Sequence, residues 1–145
     1  MAHPRMFAAD DPFLARVRAI ALAFPDAEEK ISHGHPAFYT TKVFAYYGGS
    51  ITVDGEWASH PQSVVVLPDA EDLRALVEDP RCYVPAYLGP SGWIALHLDA
   101  ATDWDEVAEL LDASYRRTAG PRRVARLHPR QPSGRPSGSS PSSGQ

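Results

Sequence analysis

The feature that most constrains the fold is a change in side-chain periodicity near residue 25. Before it, apolar residues recur at helical spacing, whereas aromatic and β-branched residues alternate along several short stretches up to residue 67. Short turn signals, such as Thr41-Lys42 and Asp54-Gly55, separate these stretches. Because so short a connection cannot carry a crossover between parallel strands, the region predicts an antiparallel meander.

Three helices are predicted around this meander, each with an aspartate at its N-terminus and a Pro or Gly-Pro signal at its end. The predicted N-caps are Asp11, Asp69 and Asp103, and the predicted stops are Pro25, Pro80 and Gly120-Pro121. Glu106 follows Asp103 by three residues, a spacing similar to a capping box.

The alternating stretches predict the strands. They are Ala27–His33, Ala37–Thr40, Val43–Tyr47, Ser50–Val53, Ser63–Leu67 and, after the second helix, Trp93–Leu98. We interpret Gly48-Gly49 as a further hairpin turn, while Cys82–Leu88 stays ambiguous because Pro85 interrupts it. The predicted order is α-β-β-β-(β)-β-α-β-α, a two-layer α+β fold with an antiparallel β-sheet packed against helices.

The length of 145 residues suits one domain. We predict a loose lead-in over residues 1–9, the domain over 10–120, and a tail over 121–145 that is basic and then rich in Ser, Pro and Gly. The composition of the tail cannot bury a core, so we expect it to be disordered.

Charge is unevenly distributed along the chain. Residues 1–112 hold all 18 acidic residues and seven of the 14 Lys and Arg, a formal charge of −11, whereas residues 113–145 hold seven arginines and no acid. Such asymmetry indicates a basic interaction segment attached to a body that repels polyanions.

The sequence predicts a cytoplasmic protein with no membrane partner. Cys82 is its one cysteine, so no disulfide can form within the chain. No apolar run approaches the roughly 18–20 residues that span a bilayer, and the N-terminus does not resemble a secretion signal.

No catalytic or metal-binding pattern is recognisable, so we expect a non-enzymatic protein without cofactor or metal. His33-Gly34-His35 resembles a metal-ligand pair, but a zinc site needs three or four protein ligands, and His60 and His97 lack a matching spacing. Cys82 follows two acidic residues closely, which favours a buried structural thiol over a nucleophile. An enzyme that uses the histidines is the least favoured hypothesis.

Aromatic side chains suggest a second kind of site. If helices cover only one face of the sheet, then Trp93, His97 and Tyr46, with His33, form a partly apolar open face. Such a face suits a small molecule, stacked bases or another subunit. The alternative is that the first helix or the tail covers it.

Several segments together resemble the MmcQ/YjbR family of small bacterial proteins, described as CyaY-like. The resemblance covers residues 13–120 and rests on Phe24-Pro25, Ser32–Phe38, Lys42–Ala45, Tyr83–Gly89, Gly92-Trp93, Asp103-Trp104 and Ser114–Arg116. It implies an antiparallel sheet packed against helices, as in secretion-chaperone-like and CyaY-like folds. The family is commonly labelled DNA-binding by likeness to a double-wing architecture, and the resemblance supplies no catalytic residues.

Two functions follow as hypotheses. The first is weak, salt-sensitive DNA binding by the basic segment, with Arg116, Arg117, Arg122, Arg123, Arg126 and Lys42 as the contact residues and Trp93 as a further candidate. The alternative is a small-molecule- or protein-binding module that uses the aromatic sheet face.

Overall fold

The structure, a computed structural model, describes residues 7–127. The helices are α1 Pro12–Ala21, α2 Ala70–Val77, α3 Trp104–Thr118 and α4 Pro121–Ala125. The strands are β1 Glu28–Ser32, β2 His35–Tyr39, β3 Val43–Val53, β4 Glu56–Val66, β5 Cys82–Tyr83 and β6 Ile94–His97. A short 3-10 helix spans Gly89–Ser91.

The strands form one six-stranded sheet in the order β1-β2-β3-β4-β6-β5, in which every neighbouring pair is antiparallel. β1 to β4 are the meander predicted over residues 27–67. After α2, β5 and β6 extend the sheet beyond β4. The predicted α+β class is therefore confirmed.

Local capping chemistry positions the helices as the sequence predicted. The carboxylates of Asp11, Asp69 and Asp103 accept hydrogen bonds from backbone N–H groups of their first turns at 2.9, 2.8 and 3.0 Å. Asp11 also accepts the hydroxyl of Tyr47 at 2.5 Å, so the same buried carboxylate caps α1 and fixes it to β3.

All four helices contribute side chains to a core on one face of the sheet. Leu14 of α1 and Leu111 of α3 pack in this core with Tyr47, Val64 and Leu96, which are partners in register across β3, β4 and β6. Because side chains alternate along a strand, the next set of partners lies on the opposite, helix-free face. We call this side the open face.

The Gly48-Gly49 pair does not form the predicted hairpin turn. β3 runs through it, and the register shifts so that Tyr47 pairs with Val64 whereas Gly49 pairs with His60. Gly48 has φ +85°, and a Cβ atom there would lie 2.9 Å from His35 Nδ1. The glycine therefore serves a bulge with no room for a side chain, not a turn.

A second irregularity affects the facing of Phe44. Simple alternation along the strand predicts that Phe44 faces the same side as Tyr46, opposite Ala45, but the register between β2 and β3 shifts at Phe38/Tyr39. Phe44 joins Ala45 in the core, against Tyr115 at a ring-centroid distance of 5.3 Å. Tyr46 stays on the open face.

Two predicted boundaries also differ. Only Cys82–Tyr83 of the ambiguous segment forms a strand, and the chain leaves the sheet before Pro85. Residue 121, the predicted start of the tail, begins α4, because Pro121 suits a first helical turn and Val124 packs against the core. The rest of the predicted tail, from residue 128, lies outside the described residues.

Candidate ligand-binding site

A cavity of about 780 Å³ lies on the open face of the sheet, under the loop that follows β5. The loop is fixed to the sheet by a hydrogen bond from the Ala86 N–H to the Ser50 carbonyl at 2.8 Å. The aromatic and larger apolar lining residues are Tyr46, Trp57, Val65, Pro85, Tyr87 and Leu88. The polar ones are Ser32, His33, His35, Ser50 and Ser59.

Two glycines of β3 also line the cavity and keep it open next to the β5 loop. A Cβ atom at Gly49 would lie 2.6 Å from the hydroxyl of Tyr83, and one at Gly48 would lie 3.1 Å from the Pro61 carbonyl. A side chain at either position would therefore displace its neighbours.

Two aromatic pairs lie at the cavity. Tyr46 contacts Trp93 edge to face at 5.4 Å, and Trp57 contacts Tyr87 at the same distance with the rings tilted by 45°. Trp57 is 57% exposed and Tyr87 82% exposed, which is unusual for side chains of this size. Exposed aromatics gathered at a concave surface are typical of ligand sites.

The backbone is strained at two of the lining residues. Tyr87 has φ +66° and His33 has φ +52°, in the left-handed region that residues with a Cβ avoid. Strain of this kind concentrates at binding and catalytic sites, where it holds side chains in positions that relaxed backbone would not give.

Burial sets the protonation states of the half-buried polar groups. It lowers the pKa of His35, while the hydrogen bond between His35 Nδ1 and the Tyr47 carbonyl, at 3.2 Å, acts in the opposite direction. Nδ1 must donate to that carbonyl, so in neutral His35 the other nitrogen, Nε2, is an acceptor. Burial also raises the pKa of Tyr46, which therefore keeps its hydroxyl proton at neutral pH.

The residues predicted from the sequence to share the open face lie at two separate places in the structure. Tyr46 and His33 line the cavity, and Trp93 lies against Tyr46. His97 lies apart from them, with ring centroids 4.8 Å from His60 and 4.7 Å from Tyr83. α1 does not cover this face, since it packs in the core on the other side.

His97 borders a second, smaller cavity of about 370 Å³. Arg81, which lines this second cavity, pairs with Asp79 at 2.6 Å and with Glu106 at 2.8 Å. Burial, followed by the charge of His60, lowers the pKa of His97.

Sequence reasoning missed Trp57, Tyr87 and His35 as members of the site. Trp57 stands on β4 and Tyr87 on the loop after β5, so nothing in their local sequence indicates that their rings meet. The sequence did indicate a sheet face without helices and an interruption of the strand pattern at Pro85. Neither signal predicts where the loop after β5 lies.

Most guanidinium groups of the predicted DNA-binding segment have partners in the protein. Arg116 pairs with Asp112 at 2.5 Å, and Arg123 and Arg126 both pair with Asp26, at 3.0 and 2.9 Å. These two hydrogen bonds lower the pKa of Asp26.

The remaining basic candidates differ from one another. Arg117 donates to the carbonyl of Pro68, whereas Arg122 and Lys42 are exposed and make no ion pair within residues 7–127. Arg123 also donates to the hydroxyl of Thr41 at 3.3 Å, which places Lys42 and α4 at the same end of the molecule.

Two observations concern the residues that the sequence analysis considered for nucleophilic and metal chemistry. Burial, followed by the charge of Asp79, raises the pKa of Cys82 to about 11, so its thiol is protonated at neutral pH. Among residues 7–127 no three His, Cys, Asp or Glu side chains are grouped so that they could hold a metal ion.

No helix within residues 7–127 has the length and apolar character needed to cross a membrane.

An antiparallel sheet with helices on one face and a cavity on the other defines a two-layer α+β domain. The YjbR family model matches residues 22–117, and the chain therefore belongs to the YjbR family. The matched residues include every strand and the cavity, but not α4. The resemblance drawn from the sequence is confirmed.

Solved structures agree on the fold. A Deinococcus radiodurans protein with a DUF419 domain is 21% identical, with a TM-score of 0.53 over 70% of this chain and 75% of that one. A Pseudomonas syringae protein is 14% identical, with a TM-score of 0.54 over 77% of this chain and 99% of that one. No curated protein sequence matches the chain.

Proposed function

We propose that this YjbR-family protein is a small-molecule-binding module and that its ligand occupies the cavity on the open face of the sheet. The observation that carries the proposal is the cavity itself, with a volume of about 780 Å³ and a mainly aromatic and apolar lining. Ligand sites are typically of this size and combine such walls with a few fixed polar groups.

The proposal is one of binding and not of catalysis. Polar lining groups are present, but the one thiol of the chain is protonated and outside the cavity lining. Exposed Trp57 and Tyr87 lose solvent contact if a ligand covers them, which gives binding a hydrophobic driving force.

The test is an NMR screen of uncharged fragments against ¹⁵N-labelled full-length protein. Binding in the cavity shifts amide signals of β3, β4 and the loop after β5. Ser59→Phe, from an exposed lining position, places a ring in the cavity and should weaken or abolish the shifts. Glu56 is exposed on the same strand but on its other face, so Glu56→Phe should leave the amide shifts unchanged. If no fragment shifts these signals, or Ser59→Phe changes nothing, the proposal is wrong.

Weak DNA binding is the second candidate function. It is supported by one observation, that exposed Lys42 and the arginines of α4 share one end of the molecule. The pairing of Arg123 and Arg126 with Asp26 opposes it, because a paired guanidinium must be released before it contacts a phosphate.

A further inference from the structure

The side chains of the cavity wall indicate which class of small molecule the cavity can bind. The inference drawn from them rests on the function proposed above. We infer that the cavity takes a neutral, planar nitrogen heterocycle that stacks on exposed aromatic rings and donates a ring N–H to His35.

The lack of a permanently charged side chain along the described wall disfavours ionic ligands. None of the described residues that line the cavity is Asp, Glu, Lys or Arg. A carboxylate or ammonium group that entered would lose hydration without gaining an opposite charge, which is a large penalty in a partly apolar site. An uncharged compound avoids that penalty.

The aromatic side chains favour a flat ligand. Tyr46 is backed by Trp93, and Trp57 is held by Tyr87, so each lining ring is already oriented by a second one. Flat π-systems gain from stacking on such rings in addition to the apolar area that they bury. The strained backbone at Tyr87, φ +66°, maintains this arrangement before a ligand arrives.

His35 supplies a directional contact. Its Nδ1 is committed to the Tyr47 carbonyl at 3.2 Å, and Nε2 makes no hydrogen bond to any residue from 7 to 127. An acceptor in a half-buried site favours a ligand with a matching donor, because a ligand without one leaves the nitrogen unsatisfied. A ring N–H provides that donor without adding charge.

The experiment compares four probes that share the indole ring system by NMR titration of the full-length protein at pH 7.5. Indole is neutral and has the N–H donor, 1-methylindole lacks the donor, indole-3-acetate is an anion and tryptamine is a cation. We expect indole to bind with the lowest Kd. Loss of one hydrogen bond predicts a Kd about fivefold higher for 1-methylindole. The two ions should bind at least about tenfold more weakly than indole.

Two variants assign these differences to the cavity. Trp57→Ala removes an exposed ring and should weaken indole binding by about tenfold. Val77→Ala, which trims a 47%-exposed side chain on α2, should leave the Kd unchanged. Both positions are solvent-exposed, so neither change threatens the fold.

The inference is overturned if either ion binds as tightly as indole, if 1-methylindole matches indole, or if none of the four binds. In each case the fragment screen separates the two proposals. Other uncharged fragments that still shift the cavity signals leave the binding function standing and show that only the ligand class is wrong. A screen without any hit removes both.

Discussion

Tyr87 combines a strained backbone with an exposed aromatic side chain. Its backbone lies in the left-handed region, which costs about 1 kcal/mol or more for a residue with a Cβ. Its side chain is 82% exposed, so burial recovers little of that cost. The ring nevertheless contacts the ring of Trp57, with the two centroids 5.4 Å apart.

Tyr87→Gly should therefore separate stability from binding. Glycine relieves the strain but adds freedom to the unfolded chain, so we expect the free energy of unfolding to change by less than about 0.5 kcal/mol. Binding of indole should weaken several-fold, because one ring of the pair is lost. Urea unfolding and NMR titration measure the two quantities.

Val84→Gly is the matched control, since it lies in the same loop, is half-exposed and has no positive φ. There glycine relieves no strain and should lower stability by about 0.5–1 kcal/mol. A loss of more than about 1.5 kcal/mol in Tyr87→Gly would show instead that the ring is structural.

His97 gives stability a dependence on pH. Burial and the nearby His60 lower its pKa below the usual 6.5, although Asp99 acts in the opposite direction. The unfolded chain therefore binds a proton more readily than the folded protein. The contribution to stability is complete above pH 6.5 and is lost as the pH falls toward the lowered pKa.

We expect the free energy of unfolding to fall between pH 7 and pH 5, and the His97 ring signal in NMR to titrate with a midpoint below 6.5. His97→Gln should reduce the slope without removing it, since burial lowers the pKa of His35 as well. A midpoint at or above 6.5 would falsify this account.

At the scale of elements, contacts that are local in sequence could be predicted and contacts between distant segments could not. α1, α2 and α3 each begin at an aspartate that binds its own first turn, so these caps were predictable. The bulge at Gly48 depends on His35 and on Pro61, which are distant in sequence. The cavity depends in the same way on a loop held to Ser50 by a hydrogen bond, so the sequence indicated an open face but not the cavity on it.

Ser114 connects α3 to the sheet by binding two backbone groups, one in β3 and one directly after β4. Its hydroxyl donates to the Phe44 carbonyl at 2.5 Å and accepts the Leu67 N–H at 2.9 Å. Phe44 lies where the register between β2 and β3 shifts, so a side chain of α3 satisfies what the neighbouring strand does not.

Ser114→Ala should lower the free energy of unfolding by about 2–4 kcal/mol, because it leaves a buried acceptor and a donor unsatisfied. Glu109→Ala, an exposed change on the same helix, should alter it by less than about 0.5 kcal/mol. Urea unfolding measures both variants. A loss below about 1 kcal/mol in Ser114→Ala would mean that water replaces the hydroxyl.

At the scale of the whole molecule, the charge asymmetry that the sequence showed is partly cancelled by the fold. The carboxylate of Asp26, which is far from α4 in sequence, accepts hydrogen bonds from both Arg123 and Arg126. The acidic body thus holds two of the arginines that the sequence predicts as phosphate contacts. Sequence order alone could not predict this, because the pairing requires the loop after α1 to meet the C-terminal part of α4.

The DNA hypothesis can be tested by releasing these arginines. Asp26→Asn removes the carboxylate but keeps a residue type that tolerates φ +61°. Asp54→Asn is its control, since Asp54 is also exposed, has φ +52° and makes no ion pair within residues 7–127. Both changes raise the net charge by one, so they differ only in location.

If α4 contacts phosphate, Asp26→Asn should bind a labelled duplex several-fold more tightly than Asp54→Asn in fluorescence anisotropy. Two freed guanidinium groups should also steepen the dependence of log K on log salt by about 1–2 between roughly 50 and 200 mM. An equal increase in DNA affinity for Asp26→Asn and Asp54→Asn would show that the net charge, and not α4, governs the interaction. Lack of binding by both variants and by the parent protein would exclude DNA as a ligand of this surface.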